Sequence, residues 1–159
     1  MNGDEKIVLQ RFLEVAFDNP LVIIKGFLYA VILLYVSLSD IKIRIIPDKV
    51  HIMILLVSLI NINLKDSLLG LFLVSIPFII TALISENGIG GGDIKLMGAS
   101  GFLLGVKGGF LASIIGLATA IVTKKVSYKI KSTNKDEAFP LAPYLSIGCF
   151  LSYLISGGF

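Results

Sequence analysis

The stretch GIGGGDIKLMGASGFLLG, residues 88–105, decides how this chain is read. Four of its first five residues are glycine, an aspartate follows, and then an apolar run dotted with small residues begins. A carboxylate at the mouth of so apolar a helix is costly to remove from water. A second stretch, SDIKIRIIPDK at residues 39–49, puts another aspartate at the far end of an earlier apolar run. Two readings of Asp93 stand side by side: a cap for a helix that starts after a glycine turn, or one half of a reactive pair. A phosphate cradle is weaker, because neither a GK[ST] pattern nor a preceding strand accompanies the glycines.

Outward from these stretches, the composition sets the class. Of 159 residues, 55% are hydrophobic and only 16% charged, and the mean hydropathy is +0.92. Soluble domains run about 25% charged, so an all-α integral membrane protein is expected. The lone cysteine, Cys149, lies in an apolar run and reads as a small filler. It allows neither an internal disulfide nor a cysteine zinc cluster, and no metal or cofactor is expected. No nucleic-acid motif accompanies the net charge of +3. The first 20 residues do not read as a signal peptide: a basic n-region is missing, and Asp4, Glu5, Glu14 and Asp18 precede the first long apolar run. Leu9, Phe12, Leu13 and Ala16 follow helical spacing, which predicts an interfacial helix over residues 1–20.

Residues 21–159 form the expected membrane domain. A span needs about 20 apolar residues, and six candidates appear: 21–39, 47–63, 67–84, 93–106, 108–123 and 139–156. The second, fourth and fifth are short for a full crossing and are expected to tilt or to stop at a water-filled cavity. Pro77 is expected to kink the third. Gly101, Gly105 and Gly109 repeat at the spacing that brings helix backbones together. With six spans, Lys42, Arg44, Lys49, Lys95, Lys124, Lys125, Lys129, Lys131 and Lys135 share one side, against Lys6, Arg11, Lys65 and Lys107 on the other. That bias predicts a multi-pass plasma-membrane protein with Asp40 and Asp93 at the cytoplasmic face and both termini outside.

Asp40 ends the first segment and Asp93 begins the fourth, so the topology puts both at one membrane edge. Two close carboxylates share a proton, so that one serves as base and the other as acid for water attack on an amide. Gly90, Gly91 and Gly92 would let the backbone turn with positive φ and let a substrate come close. Helix direction predicts an ionised Asp93 at a helix N-terminus and a protonated Asp40 at a C-terminus. Lys95 points away from Asp93 on the helix and reads either as a topology anchor or as a ligand for lipid phosphate, substrate or a neighbouring helix. Asp48 caps the second segment, sits in solvent or replaces Asp40 as the first acid. His51, the one histidine, reads as a polar interfacial residue, and Glu86 as a solvated loop residue.

These residues carry a resemblance. GGGDIK resembles the GxGD motif of the type IV prepilin peptidases, membrane aspartyl proteases more distantly similar to presenilin. DIKIRIIPD, residues 40–48, resembles that family's first motif, and PLAPYLSIG, residues 140–148, its proline-rich approach to the last helix. The likeness spans roughly residues 21–156. It implies an aspartic endopeptidase that removes a short basic leader from pilin, pseudopilin or archaellin precursors. Asp40 and Asp93 would be the catalytic pair, with Gly90, Gly91, Gly92, Lys95, Pro47 and Asp48 supporting the motifs or the substrate. Expected partners are such precursors and membrane lipid. The cysteines of the larger members' N-terminal domain are not in this chain, so methyl transfer is not expected. A competing expectation is a small proton- or cation-coupled transporter that uses the two aspartates.

Overall fold

The computed structural model describes residues 7, 20–84, 89–131 and 140–156, with side chains to 126 in the third stretch. The expected interfacial helix over residues 1–20 and the loop residue Glu86 lie outside these, apart from their edges. Every regular element among the described residues is helical: α1 (Pro20–Ile43), α2 (Asp48–Ser58), α3 (Leu64–Ile84), α4 (Gly91–Lys131) and α5 (Ala142–Ser156). Apolar runs take this form because lipid offers no partner to a bare N–H or C=O. Three stretches are long and apolar enough to cross a membrane: α1, α3 and Gly91–Val126 of α4; α5 is a shorter apolar helix. The all-helical expectation is met, while six crossings go beyond what the helices themselves establish.

The two short segments expected at 93–106 and 108–123 are one helical element, broken at Gly105 by φ 73° and ψ −176°. That corner of backbone space is open essentially to glycine alone. The break is a reversal. A Cβ on Gly109 would lie 3.2 Å from the Cα of Gly101, eight residues earlier, where a straight helix would separate them by about 12 Å. The two halves of α4 therefore run back along each other. Asp66 holds the corner: its carboxylate lies against Gly105 and accepts the Val106 N–H at 3.4 Å. Helix α3 starts at Leu64, not 67, and so carries Asp66 in its first turn. It then runs as one helix through Pro77.

Small residues let the rest close on α4. Gly70 of α3 and Gly101 meet backbone to backbone, and Gly109 lies against Val74. On the other flank Gly148 of α5 lies against Ala112 and Gly116, and the Ser152 hydroxyl donates to the Gly108 carbonyl at 2.6 Å. Helix α1 leans on α5, where the Tyr153 hydroxyl donates to the Val22 carbonyl and its ring covers Gly26. Leu33, Val36, Val50, Ile54, Leu96 and Leu145 fill the interior, while Phe27, Leu34, Leu38 and Leu83 point outward as lipid-facing residues do.

Helix α2 is 11 residues, about 16 Å, half the roughly 30 Å hydrocarbon core. The expected run to residue 63 stops early, at a turn with Asn61 at φ 55°. Asn tolerates that left-handed geometry. Residues 44–47 reverse the chain between α1 and α2: Arg44 takes φ 53°, the Ser39 hydroxyl donates to the Ile45 carbonyl, and Pro47 is the extended N-cap of α2. The C-terminal end of α1 thus meets the starts of α2, α4 and α5 at one end of the bundle.

Gly105→Ala is expected to destabilise the protein by about 2–3 kcal/mol, through a forbidden φ and a methyl driven into Asp66. Gly91→Ala, which meets open space, is expected to be neutral or slightly stabilising. Thermal unfolding in detergent, followed by circular dichroism, compares the two.

Candidate active site

Asp40 and Asp93 arrive at this end from different helices, and both are buried, 8% and 9% exposed. Among the described residues no Cα of α1 comes within 8 Å of one in α4, so the carboxylates approach across a gap between helices that do not pack on each other. The charge of Asp40 nevertheless reaches Asp93. Asp40 Oδ2 accepts the backbone N–H of Ala142, the first residue of α5, at 3.1 Å. Asp93 is the third residue of α4, not its cap. Its own N–H donates to the Gly90 carbonyl at 3.0 Å, its Oδ2 folds back toward Gly90, and its Oδ1 is buried with no hydrogen-bond partner.

The three glycines before Asp93 do not use positive φ; among described glycines only Gly105 does. Their value is space. A Cβ on Gly90 would crowd Asp93 Oδ2 at 3.3 Å, and one on Gly92 would press on Ile46 at 3.1 Å. Ile46 belongs to the link that follows Asp40, so the two candidate motifs touch through it. Among the described residues nothing lies within 4 Å of where a Cβ on Gly91 would stand.

Lys95 points away from Asp93, as its helical spacing requires, and pairs with Asp48 at 2.7 Å. Both ends are exposed, at 59% and 75%. The Lys95 hydrogen bond and charge hold the Asp48 carboxyl below its ordinary value. Asp48 makes no cap bond. Its side chain is exposed, unlike those of Asp40 and Asp93. His51, one turn along α2, is buried, and its Nε2 lies 3.2 Å from the Gly92 carbonyl. Among the described residues no Cα of α2 lies within 8 Å of one in α3. Between them lies an apolar trough of about 560 Å³, lined by Ile52, Leu55, Leu71 and Phe72, with Asp48, His51 and Lys95 also at its wall. Sequence spacing missed His51 and the Ala142 N–H, because each acts on a residue far along the chain. The one available signal was that Asp48 and His51 share a helix face.

Residues 27–123, which carry both aspartates, match the type IV leader peptidase family. The chain belongs to that family. A prepilin leader peptidase/N-methyltransferase of Bacillus subtilis (strain 168) is 31% identical over 153 residues, covering 88% of this chain and 59% of that relative. The chain thus spans about three-fifths of the length of the curated relative it matches. No solved structure matches it. Family membership accords with the resemblance seen in GGGDIK and DIKIRIIPD. The third motif, at 140–148, lies outside the matched range, yet it supplies the N–H that Asp40 accepts.

Asp40→Asn keeps an oxygen for the Ala142 N–H and is expected to unfold near the temperature of the wild type. Asp40→Ala orphans that N–H and is expected to cost about 1–3 kcal/mol. Thermal unfolding of the two variants side by side tests the bond.

Proposed function

We propose that this member of the type IV leader peptidase family is a membrane-embedded aspartic endopeptidase that removes the leader from prepilin-like precursors, with Asp40 and Asp93 as its catalytic pair. One observation carries the reading: two buried carboxylates, 53 positions apart by their numbers, are brought to the same end of an apolar bundle, where Ile46 of the link after Asp40 lies against Gly92 before Asp93. Burying two carboxylates in lipid surroundings is costly, and such groups are retained where they act.

The chemistry follows from a shared proton. One carboxylate takes a proton from water, and the water oxygen bonds to the scissile carbonyl carbon. The other carboxyl protonates the carbonyl oxygen. The tetrahedral species collapses, the C–N bond breaks, and the leaving nitrogen receives the proton first taken from water. Expulsion from the hydroxyl form returns a proton to the second carboxyl. Contacts favour one assignment, the reverse of that expected from helix direction alone. Asp40 lies at the C-terminal end of α1, but it also accepts an N–H from the start of α5, which suits an anion. Asp93 Oδ1 is buried with no donor among the described residues, a surrounding that disfavours the anion, so the proton is assigned to Asp93. This names the dominant microstate of the pair. Isotope-edited infrared at neutral pH is expected to find the protonated carboxyl band missing in Asp93→Asn and kept in Asp40→Asn.

The reversal at Gly105 supports six membrane segments, since the two halves of α4 then run in opposite directions; α2 is too short to cross as helix alone. With Lys42, Arg44, Lys49 and Lys95 at the carboxylate end, that end faces the cytoplasm. The lateral trough suits a substrate that reaches the aspartates from within the membrane. A transporter reading needs carboxylates at mid-depth, whereas these stand at helix ends.

The test is cleavage of leader-bearing prepilin-like precursors in detergent. Asp40→Asn and Asp93→Asn are each expected to lose at least about 100-fold in rate, the low end of what an acid or base supplies, while remaining folded. Asp48→Asn is expected to cleave. Activity in either of the first two removes that residue from the pair.

A further inference from the structure

The glycine turn before Asp93 has only backbone hydrogen bonds of its own: the Asp93 and Ile94 N–H groups donate to the Gly90 carbonyl. Gly90, Gly91 and Gly92 bring no side chains, and glycine has the most backbone freedom to lose. Yet a reacting group displaced by about 1 Å loses on the order of 100-fold in rate. Contacts from outside the turn add to these bonds on the peptide that leads into Asp93. Ile46 presses on Gly92 from one side. From α2, the imidazole of His51 reaches the Gly92 carbonyl, Nε2 to oxygen 3.2 Å. A carbonyl only accepts, so Nε2 carries the hydrogen and donates it.

His51 is well placed to act as a brace. It is 7% exposed, and its flanking neighbours Val50 and Ile54 are buried, so α2 cannot swing it away without opening the core. Its other nitrogen, Nδ1, is buried without a hydrogen-bond partner and lies 3.9 Å from Asp48 Oδ1, beyond hydrogen-bond reach. Asp48 is in turn tied to Lys95, one turn beyond the glycines on α4. Two cross-links therefore join α2 to the first turns of α4, and the one made by His51 ends on the residue before Asp93.

We propose that His51 is a positioning residue for the cleavage: its Nε2–H, by holding the Gly92 carbonyl, sets the aim of the Asp93 carboxyl. This rests on the catalytic role proposed for Asp93. The chain has one histidine, so histidine-selective 15N labelling reports on His51 alone. Its spectrum is expected to show a protonated, hydrogen-bonded Nε2 and a bare Nδ1.

Four substitutions then separate aim from mere packing. His51→Gln carries an amide N–H close to where Nε2 stood and is expected to keep cleavage within about threefold of wild type. His51→Asn, His51→Ala and His51→Leu cannot reach Gly92 and are each expected to lose roughly 10- to 100-fold in kcat, with unfolding temperatures like that of His51→Gln. The Asp93 infrared band, assigned by its loss in Asp93→Asn, is expected to shift in the Asn, Ala and Leu variants and to return in the Gln variant. A protonated Nδ1 with a bare Nε2 overturns the proposal. So does an unshifted Asp93 band in His51→Ala, or equal cleavage by the Gln and Asn variants. If wild type cleaves no precursor, the protease reading fails, and the nitrogen spectrum and the Asp93 band still decide what His51 does.

Discussion

The reversal of α4 at Gly105 is the constraint on which the remaining packing depends, because α2, α3 and α5 all pack on that helix. A side chain at Gly105 would collide with Asp66, and its φ is closed to other residues. Given the reversal, the first half of α4 offers Gly98 and Gly101 to α3, and the second half offers Gly108 and Gly116 to α5. Contacts this close replace a hydrophobic driving force that lipid cannot supply between helices. Only α1 does not pack on α4; it joins through α5 and α2.

That arrangement explains how two carboxylates reach one place without their helices packing together. Asp40 is fixed by α5 and Asp93 by the turn at the head of α4, and Ile46 bridges from one motif to the other. Each aspartate keeps a different surrounding. One has a backbone donor and the other has an oxygen with none. With unlike surroundings, a proton shared by the two would favour one carboxyl over the other.

Much of this was legible in the residues. Apolar runs marked the helices, since lipid forces the backbone into them. The two aspartates stood out as charges at the ends of such runs, and helical spacing turned Lys95 away from Asp93. Glycine roles were read less well. Gly90, Gly91 and Gly92 were expected to allow positive φ and to leave room, and they use only the second, while Gly105, expected to serve packing, is where the chain turns back. A glycine's sequence neighbours do not reveal which use applies; that depends on what lies opposite, such as Asp66 or Ile46. The Asp48–Lys95 pair and the His51 contact span 47 and 41 positions. Local periodicity carries no information about partners so far along the chain.

The bond between Asp40 and Ala142 spans 102 positions, and chains fold in the order in which they are synthesised. When a ribosome has delivered the first four helices, both aspartates are already in the membrane, but the donor that fixes Asp40 is not. The Asp40 carboxylate therefore passes through insertion without the N–H that it accepts in the folded protein, and gains that partner only when α5 docks.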